Sequence, residues 1–241
     1  MNKGKEVTSK ERLILALDVD TKGEVKTLVR ELVEFVGIFK VGPRLFTRYG
    51  PEIVEIVKKE GGKVFYDAKF YDIPSVVEKA AEAVGEMGVD MFTLHTLGGY
   101  RMMKAAAVGA KEKYSEIKVI GVTVLTCLNS LILKEELGIE RDLKEEVVHL
   151  AGLAKRAGLD GVVASSYEIK DIREALGEKF LLVVPGIRPR GAEKDDQQRV
   201  MTPEEAIRRG ADFLVLGRPI LKANSPREAV KKILKEIEAG R

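Results

Sequence analysis

Eight short apolar runs punctuate this chain, and each is followed by a longer segment with helical character. The runs cover residues 13–17, 38–41, 63–66, 91–94, 119–124, 161–164, 181–184 and 213–216. Most are apolar at consecutive positions, as suits strands covered on both faces in a parallel sheet. Regular alternation of strand and helix is the signature of βαβ units. Eight such units within 241 residues predict an α/β fold of the (β/α)8 TIM-barrel type. The rival open sheet of dinucleotide-binding proteins needs a G-x-G-x-x-G turn after the first strand. Here that turn reads Asp18-Val19-Asp20-Thr21.

The helices announce themselves by period and by their ends. Val25, Leu28, Val29, Leu32, Val33 and Val36 fall on one face of a 3.6-residue repeat. Pro51 marks a first turn and Gly61 a stop, while Thr202-Pro-Glu-Glu205 and Ser225-Pro-Arg-Glu228 read as capping boxes. Met102 and Met103 read as helix packing. Composition does not change between halves and no linker interrupts the pattern, so residues 1–241 are expected to form a single domain, with residues 1–10 a polar N-terminal extension. The βα unit is the only repeat recognised.

Composition narrows the chemistry. A formal charge of +3, from 41 basic and 38 acidic residues, is too balanced for a nucleic-acid or membrane surface. No apolar run approaches the roughly 20 residues that span a bilayer, and the expected location is the cytoplasm. One cysteine, Cys127, excludes an internal disulfide, and with two histidines it leaves no Cys/His zinc site. A carboxylate-bound magnesium stays open at this point. The chain is 33% charged, lacks Trp and has only two glutamines, Gln197 and Gln198, a pattern associated with proteins that work hot.

Active sites of such barrels lie at the C-terminal ends of the strands. The polar residues there are Asp18, Lys40, Asp67 with Lys69, His95, Thr126, Ser165, Arg188 and Arg218. The densest cluster is Asp67-Ala68-Lys69-Phe70-Tyr71-Asp72-Ile73-Pro74. Two residues apart on an extended segment, Asp67 and Lys69 point to the same side. An ammonium among carboxylates keeps its proton, which makes Lys69 a candidate proton donor, although an isolated D-x-K is ordinarily a solvated rim salt bridge. Pro185-Gly186-Ile187-Arg188 and Gly217-Arg218 fall after strands seven and eight, the usual phosphate site of this fold. The polar stretch from Arg190 to Gln198 has the length and character of a lid. His95 is a weaker candidate base, His149 a structural residue on a helix, and Cys127 a small packed residue rather than a nucleophile.

In order and spacing these pieces resemble the bacterial-type orotidine 5′-monophosphate decarboxylases from Leu13 to about Leu234. The match rests on Ala-Leu-Asp ending at Asp18, Phe-Lys-Val-Gly around Lys40, D-x-K-x-x-D-I-P from Asp67 to Pro74, Thr-Val-Leu-Thr ending at Thr126, Pro-Gly-Ile-Arg ending at Arg188, Asp-Gln at Gln197, and Gly217-Arg218. The resemblance implies conversion of orotidine monophosphate to uridine monophosphate and carbon dioxide, without metal or organic cofactor. It implies that Asp18 and Lys40 contact the ribose, Thr126 the pyrimidine, and Arg188, Gln197, Gly217 and Arg218 the phosphate, with Ile73 and Pro185 also at the substrate. Lys69 would protonate C6, Asp67 would sit beside the substrate carboxylate, and Asp72 would reach the neighbouring subunit's site in a homodimer.

The chain departs from that family's pattern at Ser75 and Val76, where Asn-Thr is usual, at Tyr71 in place of a common histidine, and at Cys127 in place of serine. Metal-dependent sugar-phosphate decarboxylases and synthases of the same superfamily share D-x-K-x-x-D, but carry an acidic metal ligand where this chain has Lys40. A cation there opposes magnesium binding. A non-catalytic phosphate-binding barrel, the remaining alternative, would have lost Asp67, Lys69 or Asp72.

Overall fold

The computed structural model describes residues 7–191 and 201–241. Gln197, Gln198 and most of the expected lid lie outside the described residues. The strands β1 (Leu13–Ala16), β2 (Ile38–Val41), β3 (Lys63–Phe70), β4 (Met91–His95), β5 (Lys118–Val122), β6 (Gly161–Val163), β7 (Leu181–Val184) and β8 (Phe213–Leu216) close into a parallel barrel in chain order. Closure is made by Leu13, Ile14 and Leu15 of β1 against Leu214, Val215 and Leu216 of β8.

The consecutive apolar residues of the strands serve two cores. Ile14, Ile38, Phe65, Met91, Ile120 and Val183 form an inner cluster with Val163, Leu181, Phe213 and Val215. Their strand neighbours, among them Leu13, Leu15, Phe39, Val64, Phe92, Val119 and Leu182, join the larger core beneath the surrounding helices. The period of two in a strand sends alternate residues to these two compartments. The barrel is therefore filled, and a ligand is confined to its rim.

Helix Lys22–Leu32 starts at a reciprocal capping box of Thr21 and Glu24 and buries Val25, Val29 and Leu32. Val36 is buried too, but in the turn beyond the helix. Thr202 and Glu205 form another reciprocal box, as do Thr8 and Glu11, whereas Ser225 caps only the Glu228 N–H. Pro51 occupies the N-cap of Glu52–Lys59, behind an additional helix, Pro43–Tyr49. Met102 and Met103 are fully packed within helix Gly99–Lys113. Thr8 caps a short turn, Ser9–Arg12, whose Ser9 hydroxyl bonds Glu238 and whose Arg12 donates to the Ala211 carbonyl at 3.3 Å. Residues from Thr8 onward thus belong to the folded barrel rather than to an extension.

Several strand ends move from their expected positions for local reasons. β1 stops at Ala16 because the Asp18 N–H turns back onto the Ala16 carbonyl at 3.0 Å. β5 stops at Val122, where the Val163 carbonyl is shared between the Thr123 hydroxyl at 2.9 Å and the Thr123 N–H at 3.3 Å, and Val124 is buried but outside the ladder. β3 runs on to Phe70, four residues past its expected end, through an irregularity described below.

A repeat finer than the βα unit emerges on the opposite, N-terminal side of the barrel. Gly88-Val89-Asp90, Gly158-Leu159-Asp160 and Gly210-Ala211-Asp212 precede β4, β6 and β8. Each glycine ends a helical segment at positive φ, 61°, 89° and 106° in turn, where a side chain would be strained. Each aspartate then accepts a main-chain N–H of the preceding strand, Val64, Val119 or Leu182, at 2.8 Å. Each also returns its own N–H to the carbonyl of that same residue at 2.9 to 3.0 Å. Three even strands are clipped to their odd neighbours by the same device.

At the third clip the buried guanidinium of Arg173 spans Asp212 at 2.5 Å and the carbonyls of Gly210, Phe180 and Gly177. Removing one member of a buried ion pair leaves the other uncompensated. Asp212→Ala should lower the unfolding free energy by about 3 kcal/mol and Asp212→Asn by less, measured by urea denaturation. An alanine variant as stable as the parent would show that the carbonyls and Glu178, 3.5 Å from the guanidinium, suffice for Arg173.

Candidate active site

The register of β3 against β4 creates the centre of the rim. Tyr66 pairs with Phe92 and Phe70 with Leu94, so four residue steps on β3 face two on β4. The surplus bulges at Asp67–Lys69, and Lys69 takes φ 51°, the only positive φ of a non-glycine among the described residues. Simple extended alternation therefore does not describe the D-x-K segment. The bulge itself turns the Lys69 ammonium back onto the Asp67 carboxylate, 2.6 Å away.

Asp67 is the hub of this arrangement. The carboxylate oxygen that meets Lys69 also accepts from Lys40 of β2 at 3.2 Å, while the other accepts from the Thr93 hydroxyl of β4 at 2.9 Å. Thr93 in turn accepts the Lys69 main-chain N–H at 2.9 Å. Burial pushes the Asp67 carboxyl up, but the charges of Lys40 and Lys69, with hydrogen bonds from Lys69 and Thr93, outweigh it and hold it below the usual carboxylate range. Thr93 was not among the residues singled out in the sequence. A Thr within an apolar strand looks like an ordinary β-branched residue, and only its position opposite the bulge reveals its hydroxyl.

A cavity of about 270 Å³ opens over this hub. Its floor is apolar, with Ala16, Phe65, Val122, Val163, Val183 and Val215. Its walls carry Asp18, Lys40, Asp67, Lys69, Thr126, Pro185, Arg188, Gly217 and Arg218, gathered from six strand ends. Four cationic side chains against two carboxylates leave the lining with a surplus of two positive charges, counted as 4 − 2 from these residues. Such a cleft favours a multiply charged anion.

Each wall is fixed by short-range structure. The Arg44 guanidinium donates to the Asp18 carbonyl at 3.2 Å and pairs with Asp20, bracing the turn after β1. An isolated bridge joins Ile187 to Met201, and the Arg188 N–H donates to the Met201 carbonyl at 3.0 Å. Arg188 is held with 7% of its surface exposed, its Nη1 donating to the Ile187 carbonyl at 3.0 Å. Gly217 begins the short helix Arg218–Leu221, and a β-carbon there would lie 3.3 Å from an Asp18 carboxylate oxygen.

Other expected residues fall elsewhere. Asp72 and Ile73 are exposed beyond the bulge and do not line the cavity; an Asp72 oxygen accepts the Ile73 N–H at 2.7 Å. Gln197 lies outside the described residues. His95 is half-buried against the Tyr71 ring, and burial, with the nearby Lys69 charge, depresses its pKa. His149 is exposed on helix Leu143–Arg156. Cys127 is exposed rather than packed, because the chain leaves the core after Val124. Ser165 is buried at the start of its loop, where its hydroxyl accepts the Tyr167 N–H at 3.3 Å. Among the described residues no three His, Cys, Asp or Glu side chains gather as a metal-ligand set.

Comparison with known proteins agrees over nearly the whole chain. A protein named orotidine 5′-phosphate decarboxylase from Moorella thermoacetica is 48% identical over 235 residues, covering 95% of this chain and 93% of that one. Its namesake from Geotalea daltonii is 49% identical over 232 residues, covering 95% and 97%. The crystal structure of orotidine 5′-phosphate decarboxylase from Lactobacillus acidophilus superposes with a TM-score of 0.84 at 34% identity, covering 94% of this chain and 99% of that one. The sequence model of the Orotidine 5′-phosphate decarboxylase / HUMPS family matches residues 11–233, and the chain belongs to that family.

Proposed function

We propose that the protein is an orotidine 5′-monophosphate decarboxylase of pyrimidine nucleotide synthesis, forming uridine monophosphate and carbon dioxide with its own side chains. The observation that carries this reading is the Lys69 ammonium held 2.6 Å from Asp67 on the floor side of a cationic cavity whose far wall carries Arg188 and Arg218. The C6–carboxylate bond breaks, carbon dioxide departs, and the electron pair left at C6 takes the Lys69 proton. An ammonium beside C6 stabilises that developing charge more than it stabilises the ground state. Lys69 regains a proton from water.

Asp67 stands beside the substrate carboxylate, and Asp18 and Lys40 take the ribose hydroxyls. Thr126 faces the pyrimidine, with Pro185 beside it and Ile73 supplied by a second copy of the chain. Arg188, Arg218, the Gly217 main chain and Gln197 take the phosphate. Phosphate contacts remote from C6 supply binding energy that orders the reacting end. The family also holds the metal-dependent sugar-phosphate enzymes considered above. Lys40 at 3.2 Å from Asp67 favours the metal-free reading, since it sets a positive charge where a divalent cation would need a carboxylate.

The working unit in this proposal is a cytoplasmic homodimer. Asp72 and Ile73 lie outside the cavity of their own chain, on a segment with Tyr71 65% and Ile73 62% exposed. Large apolar groups so exposed are suited to burial against a second copy, which would carry Asp72 to the partner's site.

Loss of orotate absorbance should be rapid when the purified protein meets orotidine monophosphate in buffer containing a chelator; dependence on added magnesium would favour the sugar-phosphate alternative. Lys69→Ala should reduce turnover by about 10³-fold or more while still binding the nucleotide, and near-parental turnover would overturn the proton-donor role. Mixing Lys69→Ala with Asp72→Ala protein should restore activity through hybrid dimers; verified hybrids without activity would count against a shared site. Because the Asp67 carboxyl is depressed on folding, its contribution to stability is complete above the ordinary value of about 4 and is lost as pH falls through the depressed value. Asp67→Asn should therefore flatten the dependence of unfolding free energy on pH below about 4, read by urea denaturation across that range.

A further inference from the structure

We propose that Thr93 is a positioning residue for the decarboxylation, fixing the Asp67 carboxylate and the Lys69 main chain relative to each other through one hydroxyl. The inference rests on the reading of Asp67 and Lys69 given above and concerns how their geometry is kept.

Thr93 is completely buried in β4, between Phe92 and Leu94, which face the outer core. Strand alternation sends Thr93 inward with Met91, which belongs to the inner cluster. An apolar residue is the default for such a position, and a hydroxyl is tolerated there only when its hydrogen bonds are made. Both are made: the hydroxyl donates to Asp67 at 2.9 Å and accepts the Lys69 N–H at 2.9 Å.

The Lys69 bond answers a need that the bulge creates. With two surplus residues in β3, the main chain of Asp67–Lys69 leaves the regular ladder, and a buried N–H without a partner is costly. Lys69 also sits at φ 51°, a region that a β-carbon disfavours and that surrounding structure must over-determine. Thr93 supplies the missing acceptor and, by the same atom, orients the carboxylate that holds the Lys69 ammonium. One hydroxyl thus closes a ring from main chain to carboxylate to ammonium. Loss of the hydroxyl should leave binding of ribose and phosphate, which rests on other strand ends, while loosening the proton donor.

The test compares Thr93→Val, which keeps the shape and removes the hydroxyl, with Thr93→Ser, which keeps the hydroxyl, and with Lys69→Ala. Thr93→Val should lower kcat for orotidine monophosphate by about ten- to a hundredfold, the scale of a misplaced catalytic group. KM and inhibition by uridine monophosphate should stay within about threefold, and Thr93→Ser should restore kcat to within about threefold, both well inside the expected drop. The titratable groups facing Asp67 are Lys40 from β2, Lys69 from its own strand and, more weakly, His95 from β4. With these unchanged, removing a hydrogen-bond donor disfavours the charged carboxylate, so the acid limb of kcat should move to higher pH in Thr93→Val. A merely structural role would lower the melting temperature without moving that limb. Should Thr93→Val fail to fold, Thr93→Cys takes its place, with the same split between kcat and KM expected. Parental kcat in a folded Thr93 variant lacking the hydroxyl, with Lys69→Ala inactive, overturns the positioning role alone. Turnover surviving in Lys69→Ala overturns the underlying reading, and the positioning role with it.

Discussion

The Asp67 carboxylate, buried between two ammonium groups and a hydroxyl, is the interaction on which the site is organised. A carboxylate taken out of water is costly unless its partners are close and its lone pairs are used. Lys40, Lys69 and Thr93 meet that condition from three adjacent strands. The constraint acts in both directions. The lysines keep Asp67 charged, and Asp67 holds two cations within a few ångströms of each other at the base of the cavity. In the proposed reaction a like-charged substrate carboxylate brought beside Asp67 would be repelled there and relieved on leaving.

The barrel supplies the setting. Its interior is filled by residues such as Ile14, Phe65, Met91 and Ile120, so the charged cluster rests on an apolar floor rather than above a water-filled channel. Low polarity beneath the cluster strengthens the interactions among its members. Charge is sorted along the rim as well: the Asp67 hub lies at β2, β3 and β4, and the arginines come from the loops after β7 and β8. An elongated anion with a reacting end and a phosphate end fits that division. The opposite end of the barrel is devoted to stability, where the Gly-x-Asp clips fasten β4, β6 and β8 each to its predecessor. Separation of stabilising and reacting ends is characteristic of this architecture.

Much of the fold was legible because each strand must be apolar on consecutive positions to serve two cores, and each helix must keep one apolar face. The eight runs therefore fell where the strands are, and Pro51 and Thr202 marked helix starts through requirements that are local to the chain. Boundaries were less legible. Val124 is apolar because it packs in the core and lines the cavity beyond the end of its strand, and Thr8 to Arg12 are polar yet docked against Glu238 and Ala211. Neither hydropathy nor period distinguishes those cases. The Gly-x-Asp repeat was present in the sequence but too short to stand out until the hydrogen bonds gave it meaning.

The sequence by itself determined which residues stand at the ends of which strands, and hence that Asp18, Lys40, Asp67, Lys69, Thr126, Arg188 and Arg218 share one rim, because closing the strands in chain order brings all their C-terminal ends together. Tertiary structure alone decided how they meet. The two-residue surplus in β3 is a property of its register against β4, not of either strand read separately. That surplus sets the left-handed turn at Lys69 and converts Thr93 from a packed side chain into a shared hydrogen-bond partner. It also leaves Asp72 and Ile73 outside the cavity of their own chain. Hydrophobic alternation sets which face of each strand turns inward, but where a bulge interrupts the pairing depends on contacts between segments distant in sequence.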